Sequence, residues 1–239
     1  MSDGMAHIAS DLAPGGVLRA AINLGNPVLA QGTAAAPTGV AVDIAREVGR
    51  RLGLPVELAC FDAARDSFAA VTTGQAGICF LAIEPARAAE VAFTAPYVLI
   101  EGVYAVAERS PLAAVADVDR PGVRIGVKRG SAYDLFLTRT LQHATVVRGT
   151  EGTTEFLAGN LEAAAGVREP MTEFAASNPG YRLIEGRFME IRQAVGTAAS
   201  KRPETVSFLR ALVEELKSSG FVADALRRSG QTAPVAPPE

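Results

Sequence analysis

The sequence predicts an α/β architecture of two lobes, each built on a mainly parallel sheet. Three observations carry this expectation. Strand-length apolar runs alternate along the chain with segments of helical periodicity. The β-α-β-α-β pattern of the first part recurs, after a crossing near Gly102, up to Val167. With 239 residues, 49% of them hydrophobic and 21% charged, the chain is long enough for one large or two modest cores.

Taken in order, residues 17–23 read as a first strand, and Gly39 leads into a helix whose Ile44, Val48 and Leu52 fall four apart on one face. Gly53 then stops that helix as a left-handed cap. Residues 56–61 form a second strand, Asp66 caps a short helix carrying Phe68 and Val71, and the nearly all-apolar residues 78–83 form a buried strand. In the second lobe, residues 103–107 and 123–127 are strands, and Ser131 opens a helix with Leu135 and Leu141 inward. Residues 145–148, a helix at 153–158 and residues 161–167 complete the repeat. The chain returns through residues 189–196 to a helix opened by Pro203, whose Leu209, Leu212, Val213 and Leu216 make a docking stripe ended by Gly220.

Placing that helix on the first lobe makes residues 103–106 and 194–196 two interlobe strands. Lobe 1 then takes residues 16–104 and 195–231, and lobe 2 takes residues 105–194. Residues 1–15 and 232–239, the latter with three prolines, are expected to be disordered.

A formal charge of -3 and the lack of a long basic run argue against a nucleic-acid surface. Apolar stretches such as residues 95–106 are broken by Pro, Glu or Gly before the roughly 20 residues that a membrane span needs, so no membrane insertion is expected. Residues 1–16 lack a basic start followed by an apolar core, so no secretory signal is legible. Cys60 and Cys79, both in apolar strand-like segments, read as buried small hydrophobes rather than a disulfide. The two histidines, His7 near the N-terminus and His143 late in a helix, stand in no motif. A Ser/His/Asp triad, a Cys/His pair or a histidine-bearing metal site has little to work with. Gly149-Thr150-Glu151-Gly152 lacks the lysine and spacing of a phosphate loop. No metal or cofactor is expected, and binding of a small molecule remains.

Two phrases suggest how. Glu84-Pro85-Ala86-Arg87-Ala88 closes an apolar run and precedes Val91-Ala92-Phe93-Thr94-Ala95-Pro96-Tyr97, a strand and a Pro-Tyr turn. Such a sequence holds a guanidinium at the edge of a cleft, where a ligand carboxylate can meet it. In Gly130-Ser131-Ala132-Tyr133-Asp134, the serine three residues before the aspartate makes a capping box at a helix start. Ser131 is either a cap alone or a cap beside an anion site made of free backbone N–H groups, which Gly130 lets a ligand approach.

Together these phrases resemble the amino-acid-type (family 3) solute-binding proteins of ABC transporters, over about residues 16 to 231. Gly39-Val40-Ala41-Val42-Asp43-Ile44-Ala45 is similar to the family's Gly-Phe-Asp-Val-Asp-Leu-Ala. Residues 84–87 with 93–97 are similar to its Thr-Pro-Glu-Arg and Phe-Ser-x-Pro-Tyr, and residues 124–131 to its second-lobe strand and Gly-Thr turn. The resemblance implies the type II periplasmic-binding-protein fold, a Venus flytrap of two Rossmann-like lobes joined by two hinge strands. It also implies that Arg87 and Ser131 hold a ligand carboxylate, with an ABC permease as partner, a monomeric state and a periplasmic location. A cytoplasmic location follows instead if Met1 is the native start.

The departures shape the expected pocket. An aspartate that pairs with the ligand ammonium is replaced by Val167, so an ordinary α-amino acid is not expected unless Arg168 or Glu169 changes the local charge. Phe80, Leu81 and Ala82 stand where the family has serines, and Asn26 stands near its stacking aromatic. Asn23, Lys128, Ala132 and Tyr133 complete the candidate ligand contacts, while Tyr97 reads as packed within its lobe. Two alternatives remain open. One is a cyclohexadienyl-dehydratase-like enzyme with Glu169 or Glu173 as general acid. The other is a cytoplasmic ligand sensor.

Overall fold

The computed structural model describes residues 3–239. The chain divides into two compact units, residues 1–99 with 192–239 (unit 1) and residues 100–191 (unit 2).

Unit 1 begins with helix α1 (Asp3–Leu12), where disorder was expected. Ala9 and Leu12 are buried there. Asp11 ties the helix down: its carboxylate accepts from Thr205 Oγ1 at 2.7 Å and from the Arg202 N–H at 3.0 Å. Met1 and Ser2 lie outside the described residues. Strand β1 (Leu18–Asn23) is followed by the small hairpin β2 (Gln31–Thr33) and β3 (Ala36–Thr38), then by α2 (Val40–Leu52). Ile44, Val48 and Leu52 are all buried, and Gly53 ends α2 at φ 64° and ψ 30°, as the periodicity and the glycine predict.

Strand β4 (Val56–Phe61) leads to α3 (Ala64–Thr72) and β5 (Ile78–Ala82). Asp66 does not cap α3. Ala63 holds the cap position and Asp66 lies in the first turn. After the one-turn α4 (Pro85–Ala88), strand β6 (Val91–Ala107) runs for 17 residues. Pro96 and Tyr97 therefore lie inside a strand and make no turn.

Unit 2 receives the second part of β6. It then forms β7 (Arg124–Lys128), α5 (Ala132–Thr140), β8 (Thr145–Gly149), α6 (Gly152–Ala158), β9 (Ala163–Val167), α7 (Arg168–Ser177) and β10 (Tyr181–Leu183). Leu137 is the buried leucine of α5; Leu135 is half-buried, and Leu141 lies beyond the last turn. His143 falls in the bend after α5, not in a helix, and its N–H donates to Asp119 Oδ1 at 2.8 Å.

Strand β11 (Met189–Ala198) leads back to α8 (Pro203–Ser218), whose Leu209, Leu212, Val213 and Leu216 are buried. At Gly220, φ 81° lets the chain turn into α9 (Phe221–Arg228), a helix that the sequence reading missed. The proline-rich tail is docked, again against expectation. Val235 bridges Val98, Ala236 N–H donates to the Tyr97 carbonyl at 3.1 Å, and Lys217 Nζ donates to the Pro237 carbonyl at 2.9 Å.

The strands of the two units share one plan. In unit 1, β4, β1 and β5 are parallel in that spatial order, and β11 adds antiparallel beside β5. In unit 2, β8, β7 and β9 are parallel in that order, β6 adds antiparallel beside β9, and β10 pairs with β6. The first strand of each parallel trio lies in the middle, so all three carboxyl ends of a trio leave from one edge. In open α/β sheets such an edge is where ligands bind.

Candidate ligand-binding site

On the carboxyl edge of unit 1, β1 ends at Asn23 and β5 at Ala82. Asn23 Oδ1 accepts from the Gly25 N–H at 3.0 Å, and Asn26 Oδ1 accepts from the Val28 N–H at 3.2 Å. Both are local side-chain turns that consume the amide oxygen, and each leaves the amide nitrogen to act as a donor. Beyond β5, Pro85 opens α4 at the position where proline is pre-set for a helix. One turn of helix then turns Arg87 inward, where it is 3% exposed. Arg87 Nη1 donates to the Ala82 carbonyl at 3.2 Å.

Burial is the largest influence on this guanidinium and lowers its pKa from the usual arginine value, while Glu84 and then Cys79 pull the other way. Arginine remains protonated under such shifts. Glu84 is itself only 3% exposed. The sequence reading had not singled it out, although an acid three residues before a buried arginine is the available signal. The Cys79 thiol is pushed up to about 12 by burial, which makes it an inert packing group. Cys60 and Cys79 are both free.

Two residues expected at the ligand, Phe80 and Leu81, are buried in unit 1. Leu81 is packed with Ala21, Val71, Val91 and Phe93. Phe80, on the other face of β5, meets the Tyr97 ring edge-on at 6.4 Å. Alternation along a strand sends these side chains to opposite faces, and both faces are covered. Of the three, Ala82 stands at the strand end.

On the carboxyl edge of unit 2, β7 ends at Lys128, β8 at Gly149 and β9 at Val167. Gly130 takes φ 71°, the left-handed turn that a side chain disfavours, and delivers Ser131 to the N-cap of α5. Ser131 Oγ accepts from the Asp134 N–H at 3.1 Å, and Asp134 Oδ2 accepts from the Gly130 N–H at 2.8 Å. Half of the capping box predicted from the sequence is thus present: the serine accepts from Asp134, while the aspartate carboxylate takes the Gly130 N–H in place of the Ser131 N–H.

That box changes the expected anion site. The Asp134 carboxylate itself occupies the helix start, balanced by Arg148 Nε at 2.8 Å, and the Ser131 N–H goes to the Lys128 carbonyl at 3.1 Å. Ala132 and Tyr133 supply the N–H groups of this turn that hydrogen-bond to no described residue. Tyr133 is buried, and burial raises its phenol pKa while the neighbouring Ser131 hydroxyl lowers it.

Lys128 is not an open cation, because its Nζ lies 2.5 Å from Glu151 Oε1. Val167 is half-buried at the end of β9 and serves as the N-cap position of α7. Arg168 is held by Glu101 and by the Gly186 carbonyl at 2.7 Å, and Glu101 is shared with Arg187 Nη1 at 2.9 Å. Glu173 is exposed and lacks the desolvation that a general acid requires. Among the described residues, no group of His, Cys, Asp and Glu side chains is placed to hold a metal ion. A cavity of about 520 Å³ in unit 2 is lined by Ala107, Leu112, Pro121, Val123 and Leu161. It lies at the amino end of β7, away from Ser131.

Two α/β units with matching strand order, each presenting polar groups at its carboxyl edge, define a ligand-binding scaffold of the type II periplasmic-binding-protein class. The chain belongs to the bacterial extracellular solute-binding proteins, family 3, whose model matches residues 18–230.

Solved structures agree on the fold. The solute receptor for L-cysteine of Neisseria gonorrhoeae is 20% identical, with a TM-score of 0.77 over 94% of this chain and 93% of that one. The amino acid ABC transporter substrate-binding protein AbpA from Streptococcus pneumoniae, bound to L-arginine, is 18% identical, with a TM-score of 0.75 over 91% and 96%. The ancestral amino acid-binding protein AncCDT-1, a precursor of cyclohexadienyl dehydratase, is 17% identical, with a TM-score of 0.75 over 93% and 99%. No curated protein sequence matches the chain. Among the described residues, no helix is long and apolar enough to cross a membrane.

Proposed function

We propose that this protein binds a small carboxylate-bearing solute, amino-acid-like or amine-free, and delivers it to an ABC permease. Arg87 of unit 1 grips the carboxylate, and unit 2 offers donors of its own in the Ser131 hydroxyl and the Ala132 and Tyr133 N–H groups. The observation that carries this reading is the Arg87 guanidinium, 3% exposed and fixed at the carboxyl end of a buried strand. A planar fork of donors held in that position suits bidentate recognition of a carboxylate. Asn23 and Asn26 add amide donors on the same edge, which again favours an acceptor-rich guest.

Isothermal calorimetry with a panel of amino acids and organic acids tests the reading. Arg87→Ala is expected to weaken whichever acid binds thirtyfold or more, the equivalent of about 2 to 5 kcal/mol. Unchanged affinity in a folded Arg87→Ala protein rejects the carboxylate grip. Conversion of prephenate or arogenate to an aromatic product by the unmodified protein replaces the binding role with lyase chemistry.

A further inference from the structure

The cavity of unit 2 lies at the amino end of the parallel trio, the end opposite Ser131 and Lys128. At about 520 Å³ it has the size of a small-molecule pocket. Leu112, Val123 and Leu161 are buried and make its floor, while Ala107, Pro121 and Gly122 are exposed and make its mouth. One wall is held from behind. The Arg182 guanidinium on β10 donates to the Glu108 carbonyl at 3.3 Å, the Ser110 carbonyl at 3.2 Å and the Leu112 carbonyl at 3.0 Å. These bonds fix the segment after β6 while the space in front of it stays open.

Two of the lining residues, Arg109 and Glu162, are charged, and they differ in state. Glu162 is already engaged: its carboxylate accepts from the Arg124 N–H at 2.8 Å and from Arg124 Nε and Nη2, each at 2.9 Å. Arg109 has no ion-pair or hydrogen-bond partner among the described residues. Beside it, Ser110 Oγ accepts from the Leu112 N–H at 3.2 Å, which orients the hydroxyl and leaves its proton to donate. An apolar floor is thus joined to one open cation and one hydroxyl donor.

We infer that this cavity is a second ligand site, for an organic anion with an apolar body, such as an aromatic or medium-chain carboxylate. The apolar body covers Leu112, Val123 and Leu161, and its removal from water drives binding. The anionic end meets Arg109 and Ser110, which fixes its orientation. A cation is not favoured, because Glu162, the acid on this wall, is held by Arg124. The site lies wholly within unit 2 and does not depend on Arg87.

Amide proton–nitrogen correlation spectra of the full chain test it with three probes: 2-naphthoate, its neutral counterpart 2-naphthalenemethanol, and acetate. Naphthoate is expected to shift the amides of residues 107–112, 122–123 and 161–162 saturably. The neutral alcohol is expected to bind there about fivefold more weakly, the effect of one exposed ion pair, and acetate to leave these amides unmoved. Arg109→Gln, at an exposed position, is expected to bring naphthoate down to the level of the alcohol and to leave the alcohol unchanged. Ala107→Trp, also at an exposed position, fills the mouth and is expected to abolish the shifts from both. The inference is overturned by the absence of saturable shifts at these amides, by equal binding of acid and alcohol, or by acetate acting as well as naphthoate. Naphthoate binding that Arg109→Gln leaves intact, or shifts that survive Ala107→Trp, overturn it too. None of these outcomes touches the carboxylate reading of Arg87.

Discussion

The two units use the same order of strands to opposite chemical ends. Unit 1 brings its parallel trio to an edge where two asparagines and one buried arginine stand over an apolar strand, Ile78–Ala82. Unit 2 brings the same trio to an edge crowded with charge: Lys128, Asp134, Arg148, Glu151, Arg168 and Glu169. Topology therefore decides where a ligand can sit, and the residues following each strand decide what it can be. The units also differ in how helices seat on their sheets. In unit 1, α3 packs through Ala70 and Val71. In unit 2, α6 lies directly on the strand backbone, and a Cβ added at Gly126 would stand 2.3 Å from the Gly152 carbonyl oxygen.

The largest expected effect separates the two cores. Leu209→Ala, at a 2% exposed position on α8, is expected to destabilise unit 1 by about 3 kcal/mol through lost burial and the cavity left behind. Amide hydrogen exchange should speed up in β1 and β5 while β7 and β9 stay protected. Equal loss of protection in both units breaks the comparison.

Gly126→Ala comes next, at about 2 kcal/mol, because the new methyl meets backbone that cannot rotate away. Urea unfolding followed by exchange should report a looser α6 and an unaltered α3.

The smallest effect concerns acid. Arg50 foremost, with Arg51 adding to it, outweighs partial burial and holds the Glu47 carboxyl at about 2. A carboxyl whose folded pKa lies below its unfolded value stabilises the fold above the unfolded value near 4.5, and that stability disappears as pH falls through the folded value. Glu47→Gln should therefore flatten the loss of thermal stability between about pH 4.5 and pH 2. An unchanged slope on the acid side removes this carboxylate from the account.

Elements whose stability is local were legible in the sequence. The four-residue spacing of Ile44, Val48 and Leu52, the glycine after them, and the Ser131 to Asp134 box each state their structure within one or two turns. Elements that depend on distant partners were not. Helix α1 has little to recommend it until its buried face meets α8, and the tail gains order only from the backbone of Tyr97, which lies far away in the chain. Val222, Ala225 and Leu226 carry a helical stripe, but at 8 residues α9 is short enough to pass for the end of its neighbour. Pro96 argued for a turn by ordinary strand rules, yet the docked tail supplies the pairing there: the Leu99 N–H donates to the Pro234 carbonyl at 3.0 Å.

The site divides along the same line. Arg87 could be picked out by the apolar run before it, and Ser131 by its cap. The ion pairs that occupy Lys128 and Arg168 join residues 23 and 67 positions apart, beyond the reach of any local pattern. Phe80 and Leu81 are hard to read for a related reason: a strand covered on both faces gives no sign of which side chain meets a ligand.

Because β6 and β11 carry the chain out of unit 1 and back again, unit 2 is one unbroken stretch while unit 1 is written in two instalments. A ribosome reading from the N-terminus releases every residue of unit 2 before the unit 1 part of β11, α8 and α9 exist. The half that holds Arg87 must therefore wait, with β5 bare along one side, until the last segment emerges to cover it.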